Sequence, residues 1–318
     1  MSEQMTVMQT VAAGGPEVLV PATVPRPVPL PTEVLVRVHA AGVNPVDWKI
    51  RAGVFPPGGL GAHPFTQGWD VAGVVESGPR VTRFQPGDEV FGLLWFPRQA
   101  GGYGEYVTAP ARQFARKPAS LSFAEAAALP MAGLTAWQTL VDVARVGAGT
   151  RVLVTAAAGG VGHLACQIAK HRGAVVTGTA SAPKHGFLAG LGVDNAVDYT
   201  QVDVSTTVRD QDVVLDLLGG DHTLGLLDTL RPGGLLVLTI GQVSPEVTRA
   251  AEARGVRVTP FLVEPDSTGL AAVADLVDRE AVRVHVEHIL PLAEAGKAHE
   301  IGAANRTTGK IVLAVTGT

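Results

Sequence analysis

Before about residue 122 the apolar positions come in short runs that alternate with polar ones. Val34 to Val38 (VLVRV) alternates around Arg37, Val71 to Val75 (VAGVV) follows, and Glu89 to Gly92 comes after the turn Gln85-Pro86-Gly87-Asp88. Runs of this length, bounded by glycine and proline, predict β-strands. The segment PATVPRPVPLP ahead of the first run is stiff and short of amide donors, so strand pairing is expected to end there. Few helical periods interrupt these strands. Gly-rich connections such as Gln99 to Gly104 join them, and together they predict a small barrel-like domain.

At Ser122 the pattern changes. Ser122, with Glu125 three residues on, reads as a capping box opening the alanine-rich helical run FAEAAALPMAGLTAWQTL, broken by a proline. Short apolar runs then alternate with helical stretches. Val152 to Ala156, Ala174 to Thr179, Val213 to Leu218 and Leu235 to Ile240 each have the length of a buried strand, and Val256 to Val263 supplies a last one. Continuous apolar strands between helices predict a parallel sheet with helices on its faces. From Val282 alternation returns in VRVHVEHILPL and GKIVLAV, which are expected to rejoin the first domain. The expected division is therefore 1–121, completed by 282–318, and 122–281.

With 318 residues, 46% of them hydrophobic, the chain can fill two domain cores. A net charge of -4 and the lack of a Lys/Arg run give no footprint for nucleic acid. MSEQMTVMQT lacks the charged-then-apolar order of a secretory signal, and no apolar stretch reaches the roughly 18 residues that span a bilayer. These features predict a soluble, cytoplasmic protein without a membrane partner. One cysteine, Cys166, excludes intrachain disulfides and a Cys-rich zinc lobe. It reads as a buried structural thiol.

The stretch TAAAGGVGHLACQIAK, Thr155 to Lys170, carries the first chemistry. It runs from a predicted strand into a helix. The turn between them, Ala157-Ala158-Gly159-Gly160-Val161-Gly162, follows the dinucleotide pattern with alanine in the first glycine place. Small residues let the backbone approach a pyrophosphate, and the helix N-terminus offers unpaired amides. After the second strand of this sheet an NAD site usually places an acid for the ribose hydroxyls. Here the chain runs into Ser181-Ala182-Pro183-Lys184, with no acid until Asp194. A hydroxyl and an ammonium suit a 2′-phosphate, so NADPH is the expected cofactor. The bland alternative is that Ser181 and Lys184 only decorate an exposed helix start. Gly219, Gly220 and Gly241 follow later strands, at the carboxyl edge where open parallel sheets bind ligands.

Seven ordered segments carry a family resemblance: AGVNPVDWKIRAG (Ala41 to Gly53), GWDVAGVV (Gly68 to Val75), GDEVFG, GGYGEYV (Gly101 to Val107), LPMAGLTAW (Leu129 to Trp137), AAAGGVG and GKIVL (Gly309 to Leu313). In them the chain resembles the zinc-free quinone oxidoreductase branch of the medium-chain dehydrogenase/reductase superfamily. The resemblance implies an α/β protein with a GroES-like β-barrel catalytic domain and a Rossmann doubly wound parallel-sheet domain. It implies NADPH as cofactor, a quinone or α,β-unsaturated carbonyl as substrate, and a homodimer. Zinc-dependent relatives have a Cys in the first motif and a His-Glu pair in the second, where this chain has Asn44 and Trp69-Asp70. That set does not supply three metal ligands, and His63 reads as a solvated loop residue.

The resemblance also assigns residues. It places Asn44 and Lys49 beside the nicotinamide, although many relatives carry a tyrosine at the Lys49 place. Lys49 either donates to a developing oxyanion or is a solvated surface lysine. Asp47 is expected to fix this loop, and Tyr103 to be barrel scaffolding. Trp69 and Trp95 either line the substrate pocket or simply pack. Thr135 matches a contact near the nicotinamide phosphate. Tyr199 matches one near the adenine-ribose phosphate, or is a strand-end core tyrosine. Lys310 is implied to be near the cofactor through its backbone. The turn residues Ala158, Gly159, Gly160 and Val161 complete the expected cofactor set. Two other functions stay open: an enoyl reductase acting in trans on a carrier-bound acyl chain, and a weakly catalytic NADPH-binding protein.

Overall fold

A computed structural model describes residues 3–54 and 62–315. The chain forms two compact units: residues 1–134 with 264–279 and 284–318, and residues 135–263 with 280–283. This division differs from the one expected from the pattern. The Ser122 helical run as far as Leu134 and the helix Ser267–Asp278 belong with the first unit, because Phe123–Ala127 packs on the strands Glu33–Val43 and Asp70–Ser77, and Ser267–Asp278 packs on Phe114–Arg116.

The first unit is built on the strand Glu33–Val43, whose eleven residues are almost continuously buried. Its first half pairs antiparallel with Tyr106–Pro110, its last residues with Lys310–Ala314, and most of its length with Asp70–Ser77. Glu89–Leu93 and Phe114–Arg116 extend the sheet on one side, and Val286–Pro291 on the other. The turn before Glu89 closes as expected: the Asp88 amide donates to the Gln85 carbonyl, and Gly87 takes the left-handed conformation (φ 94°).

A second, three-stranded sheet corrects one expectation. Pro21 to Pro25 does not end pairing but lies in the strand Leu19–Pro25, antiparallel to Gln4–Thr10, which in turn pairs with Phe65–Thr66. Leu19–Pro25 is an edge strand, so its prolines need donate to no further neighbour.

The second unit contains a six-stranded parallel sheet: Asn195–Val197, Val175–Thr179, Arg151–Val154, Gln211–Asp216, Leu230–Leu238 and Arg257–Pro260, in spatial sequence. Numbered by chain order this is 3-2-1-4-5-6, the doubly wound dinucleotide arrangement. The helix Gly162–His171 follows the first strand and is buried on every side from Gly162 to Ala169. Cys166 is buried within it, and burial pushes its thiol up to about 12.

The helical run from Ser122 has the expected capping box: the Ser122 hydroxyl accepts from the Glu125 amide at 3.2 Å, and the Ser122 amide donates back to Glu125 at 2.9 Å. After the proline break comes Pro130–Trp137, which passes into a π-helical segment, Gln138–Val143.

Candidate functional site

Antiparallel pairing places the end of one strand beside the starts of its neighbours. At the end of Glu33–Val43 this gathers Asn44, Asp70 at the start of the next strand, and Lys310 at the start of the last. The Lys310 ammonium donates to the Val43 carbonyl at 2.9 Å and to Asn44 Oδ1. Asn44 Nδ2 donates to Asp70 Oδ2 at 2.9 Å, and Asp70 Oδ1 accepts the Met131 amide at 2.9 Å. Lys310 and Asp70 lie 3.8 Å apart, with 4% and 0% of their side chains exposed. Gly42 completes the approach, because a Cβ there would strike the Ala127 carbonyl and Asp70.

This is a sealed polar network. Burial pushes Asp70 up to about 6, against the pull of the Lys310 charge and the bonds from Asn44 and Met131. Burial likewise lowers Lys310, with Asp70 and Asp47 opposing the shift. Lys310 therefore sits here with its ammonium turned into the barrel. Its partners, Val43 and Asn44, are 267 and 266 positions away in sequence.

Asn44 also starts the short helix Pro45–Arg51. Its amide donates to Asp47 Oδ2 at 2.6 Å, and the Asp47 carbonyl accepts from Gln67 at 3.0 Å. Asp47 thus ties down the loop. It is fully enclosed, and burial, with the nearby Asp70 charge, pushes it up to about 7. Lys49, on the same helix, is half-buried, and burial lowers its pKa. Behind the helix the Tyr103 hydroxyl meets His299 Nε2 at 3.2 Å. The buried His299 is held down to about 3 by burial and by Arg51.

Trp69 is packed in the interior. It is 1% exposed, its indole donates to the Arg98 carbonyl at 2.7 Å, and its ring meets Phe96 edge-on. Its one donor is thus spent within the fold. Trp95 is half-buried with a left-handed backbone (φ 54°), and its indole donates to the Thr108 carbonyl at 2.9 Å. His63 is exposed, as expected. Among the described residues no group of three His, Cys, Asp or Glu side chains is placed to hold a metal.

In the second unit the glycine-rich turn leaves the carboxyl end of Arg151–Val154. Ala156 has φ 46°, the Gly159 amide folds back on its carbonyl at 2.8 Å, and the His163 amide donates to Gly159 at 3.0 Å. A Cβ on Gly162 would collide with the Ala156 carbonyl, so the helix starts hard against the strand. Ala158 is buried, and Gly160 and Val161 are partly open at the helix N-terminus. Thr135 is buried, and its carbonyl accepts from the Thr139 hydroxyl at 2.6 Å.

After the second strand, Ser181 and Lys184 are half-buried at either end of the turn Ala182–Lys184. The reading from sequence missed one acid here. Asp194 points away, to Lys170 and the Val176 amide, but Asp198 reaches back from the third strand. Its Oδ2 accepts the Ala182 amide at 3.2 Å while Oδ1 takes the Thr200 amide and hydroxyl. Both oxygens hold the loop, and these bonds keep the carboxyl below its ordinary value.

Tyr199 is exposed rather than a core tyrosine. A second missed residue is Asp216, buried at the end of the fourth strand. It accepts the Leu218 and Gly219 amides, each at 3.0 Å, and the Thr223 hydroxyl at 2.7 Å. It thereby sets the turn through Gly219 and Gly220 (φ 65° and 72°). Gly241, with φ 87°, has open space where a Cβ would be.

Comparison with known proteins agrees with both halves of this description. Residues 30–119 match the alcohol dehydrogenase GroES-like domain, and residues 191–313 match a family described as zinc-binding dehydrogenase. The chain is 36% identical over 326 residues to a quinone oxidoreductase of Pseudomonas aeruginosa, covering 96% of this chain and 98% of that one. The solved quinone oxidoreductase of Coxiella burnetii superposes with a TM-score of 0.92 at 34% identity, covering 99% of this chain and all of that one. A solved NAD-dependent alcohol dehydrogenase gives 0.89, also at 34%, over 98% of this chain and all of the other.

Proposed function

Since this chain belongs to the quinone oxidoreductase branch of the medium-chain dehydrogenase/reductase superfamily, we propose that it is an NADPH-dependent, zinc-independent reductase of quinones or α,β-unsaturated carbonyls. The observation that carries the proposal is the small-residue turn at the carboxyl edge of a 3-2-1-4-5-6 sheet, with Gly162 set where no side chain fits. Ala158 to Gly162 would hold a pyrophosphate on the helix N-terminus. Ser181 and Lys184 would hold a 2′-phosphate, and Asp198, whose oxygens both bond the loop, would act on the loop rather than on the ribose. Thr135, Tyr199, the Asp216-ordered Gly219 turn, Gly241 and the backbone at Lys310 complete the proposed cofactor contacts.

Bound NADPH would supply a hydride to the electron-poor carbon of the acceptor. Oxygen charge developing on that acceptor needs fixed donors, and Lys49 is the proposed one. Its lowered pKa makes it a better proton source than an ordinary lysine. The network behind it argues against a metal as the electrophile. Asn44 and Asp70 already bond each other, and the Lys310 ammonium lies 3.8 Å from the Asp70 carboxylate, where it would repel a cation.

The test is NADPH and NADH oxidation, in parallel, against one simple quinone and one simple enone, with products identified and metal content measured. Turnover that prefers NADPH and survives a chelator supports the proposal. NADPH binding without turnover of either acceptor would instead favour a carrier-bound acyl substrate or a weakly catalytic role. Preference for NADH would overturn the cofactor assignment alone.

A further inference from the structure

The glycine-rich turn uses the carboxyl edge of the parallel sheet, but the amino edge of the same sheet has its own concavity. A cavity of about 670 Å³ opens there, lined by Arg145, Arg231, Arg257, Asp142, Asp212 and Gly233 among others. Arg151, Asp212 and Arg257 lie at or next to the first residues of three strands, which places the cavity at the opposite end of the sheet from the turn. We propose that this cavity is a second binding site, for a small phosphate-bearing anion.

The charges support an anion. Asp212 is already engaged: Oδ2 accepts the Arg151 amide at 2.7 Å and Oδ1 pairs with the Arg231 guanidinium. Arg145 and Arg257 make no ion pair or side-chain hydrogen bond with any described residue. Three guanidiniums therefore face two carboxylates, and Arg231 is the one already paired, with Asp212. Guanidinium forks match phosphate oxygens two at a time, which favours a phosphate over a single carboxylate. The concavity has more room than inorganic phosphate needs, and Arg145, Arg231 and Arg257 are exposed at it, so a phosphate carried on a larger molecule can reach them from solvent.

The backbone also brings Arg145 to the rim by an irregular route. The π-helical segment Gln138–Val143 ends with the Ala144 amide on the Thr139 carbonyl and the Val146 amide on the Leu140 carbonyl. Between them Arg145 adopts φ 53°, a conformation that side-chain-bearing residues seldom hold without cause. Arg172 braces the same turn through the Val146 carbonyl.

Calorimetric titration with pyrophosphate, at low ionic strength and with NADPH saturating the turn, tests the site. Binding should weaken about 10- to 100-fold in the Arg145→Ala/Arg257→Ala double variant. NADPH turnover in anion-free buffer should stay the same, which also shows that the variant folds. The arginine comparison localises the site whether or not NADPH binds, so failure of the cofactor proposal remains distinguishable. No pyrophosphate binding, or equal binding by the double variant, overturns the proposal. Citrate binding as tightly as pyrophosphate overturns the phosphate assignment.

Discussion

The polar groups of the two units are placed in opposite ways. At the end of the barrel sheet, Asn44, Asp70 and Lys310 spend their hydrogen bonds on one another and on backbone, out of water. At the carboxyl edge of the parallel sheet, Ser181 and Lys184 are half-buried, Tyr199 is exposed, and the glycines leave open backbone. The first arrangement fixes a shape. The second leaves side chains such as Ser181 and Tyr199 in reach of solvent. A buried lysine and a half-buried one thus carry different expectations: Lys310 is a strut, whereas Lys184 is the proposed partner of a 2′-phosphate.

The largest effect should come from breaking the strut. Asp70→Ala leaves a buried ammonium without its counter-charge and strips the Met131 amide of its acceptor. Urea unfolding should show a loss of about 3–5 kcal/mol, and adding Lys310→Met to Asp70→Asn should restore much of it. A loss below about 1 kcal/mol would show that the network holds nothing.

Next comes pH. Asp47 has a folded-state value near 7, raised from 3.8 by burial. The folded state then binds more protons than the unfolded state between those values, so this group's contribution is present below pH 4 and lost as pH rises through 7. Over that window the urea midpoint of the natural protein should fall relative to that of Asp47→Asn, while the buried His299, held down to about 3, acts on both in the opposite direction. An unchanged slope would remove Asp47 from the account.

On the open side, Lys184→Ala should weaken NADPH binding by about 1.5–3 kcal/mol, roughly 10- to 100-fold, and leave NADH nearly unaffected. Fluorescence titration with both cofactors measures this, and equal weakening of the two would make Lys184 a structural residue. The smallest effect sharpens the contrast. Tyr199→Ala, at an exposed position, should change stability by no more than about 0.5 kcal/mol. A larger loss would mean that this edge is braced after all.

What could be read from the sequence follows the range of the interactions. The Ser122 capping box, the Gln85 turn and the strand–turn–helix around Gly159 are local, and each stands where its residues put it. The pairing of Pro21 to Pro25 was hidden because prolines mark edge strands as well as strand ends, and only the partner Gln4–Thr10 tells which. Asp198 and Asp216 were missed for a related reason. An acid search along the second strand cannot see a carboxylate that returns from the third, or one folded under a glycine turn from the fourth. For Trp69 the sequence left pocket and packing both open, and only the contacts of Phe96 and Arg98, from another loop, show the packing.

The long strand Glu33–Val43 has one more consequence, which concerns time. Its register with Lys310–Ala314 joins residues that a ribosome makes more than 260 positions apart. The six strands of the parallel sheet all lie between residues 151 and 260, so that unit is nearly complete in the nascent chain while the sheet of the first unit still lacks two strands, Val286–Pro291 and Lys310–Ala314. Until Lys310 emerges, Asn44 and Asp70 have no ammonium to meet, and the flank of the sheet that Lys310–Ala314 will cover has no partner. The interior charge is thus among the last contacts of this sheet that the growing chain can make.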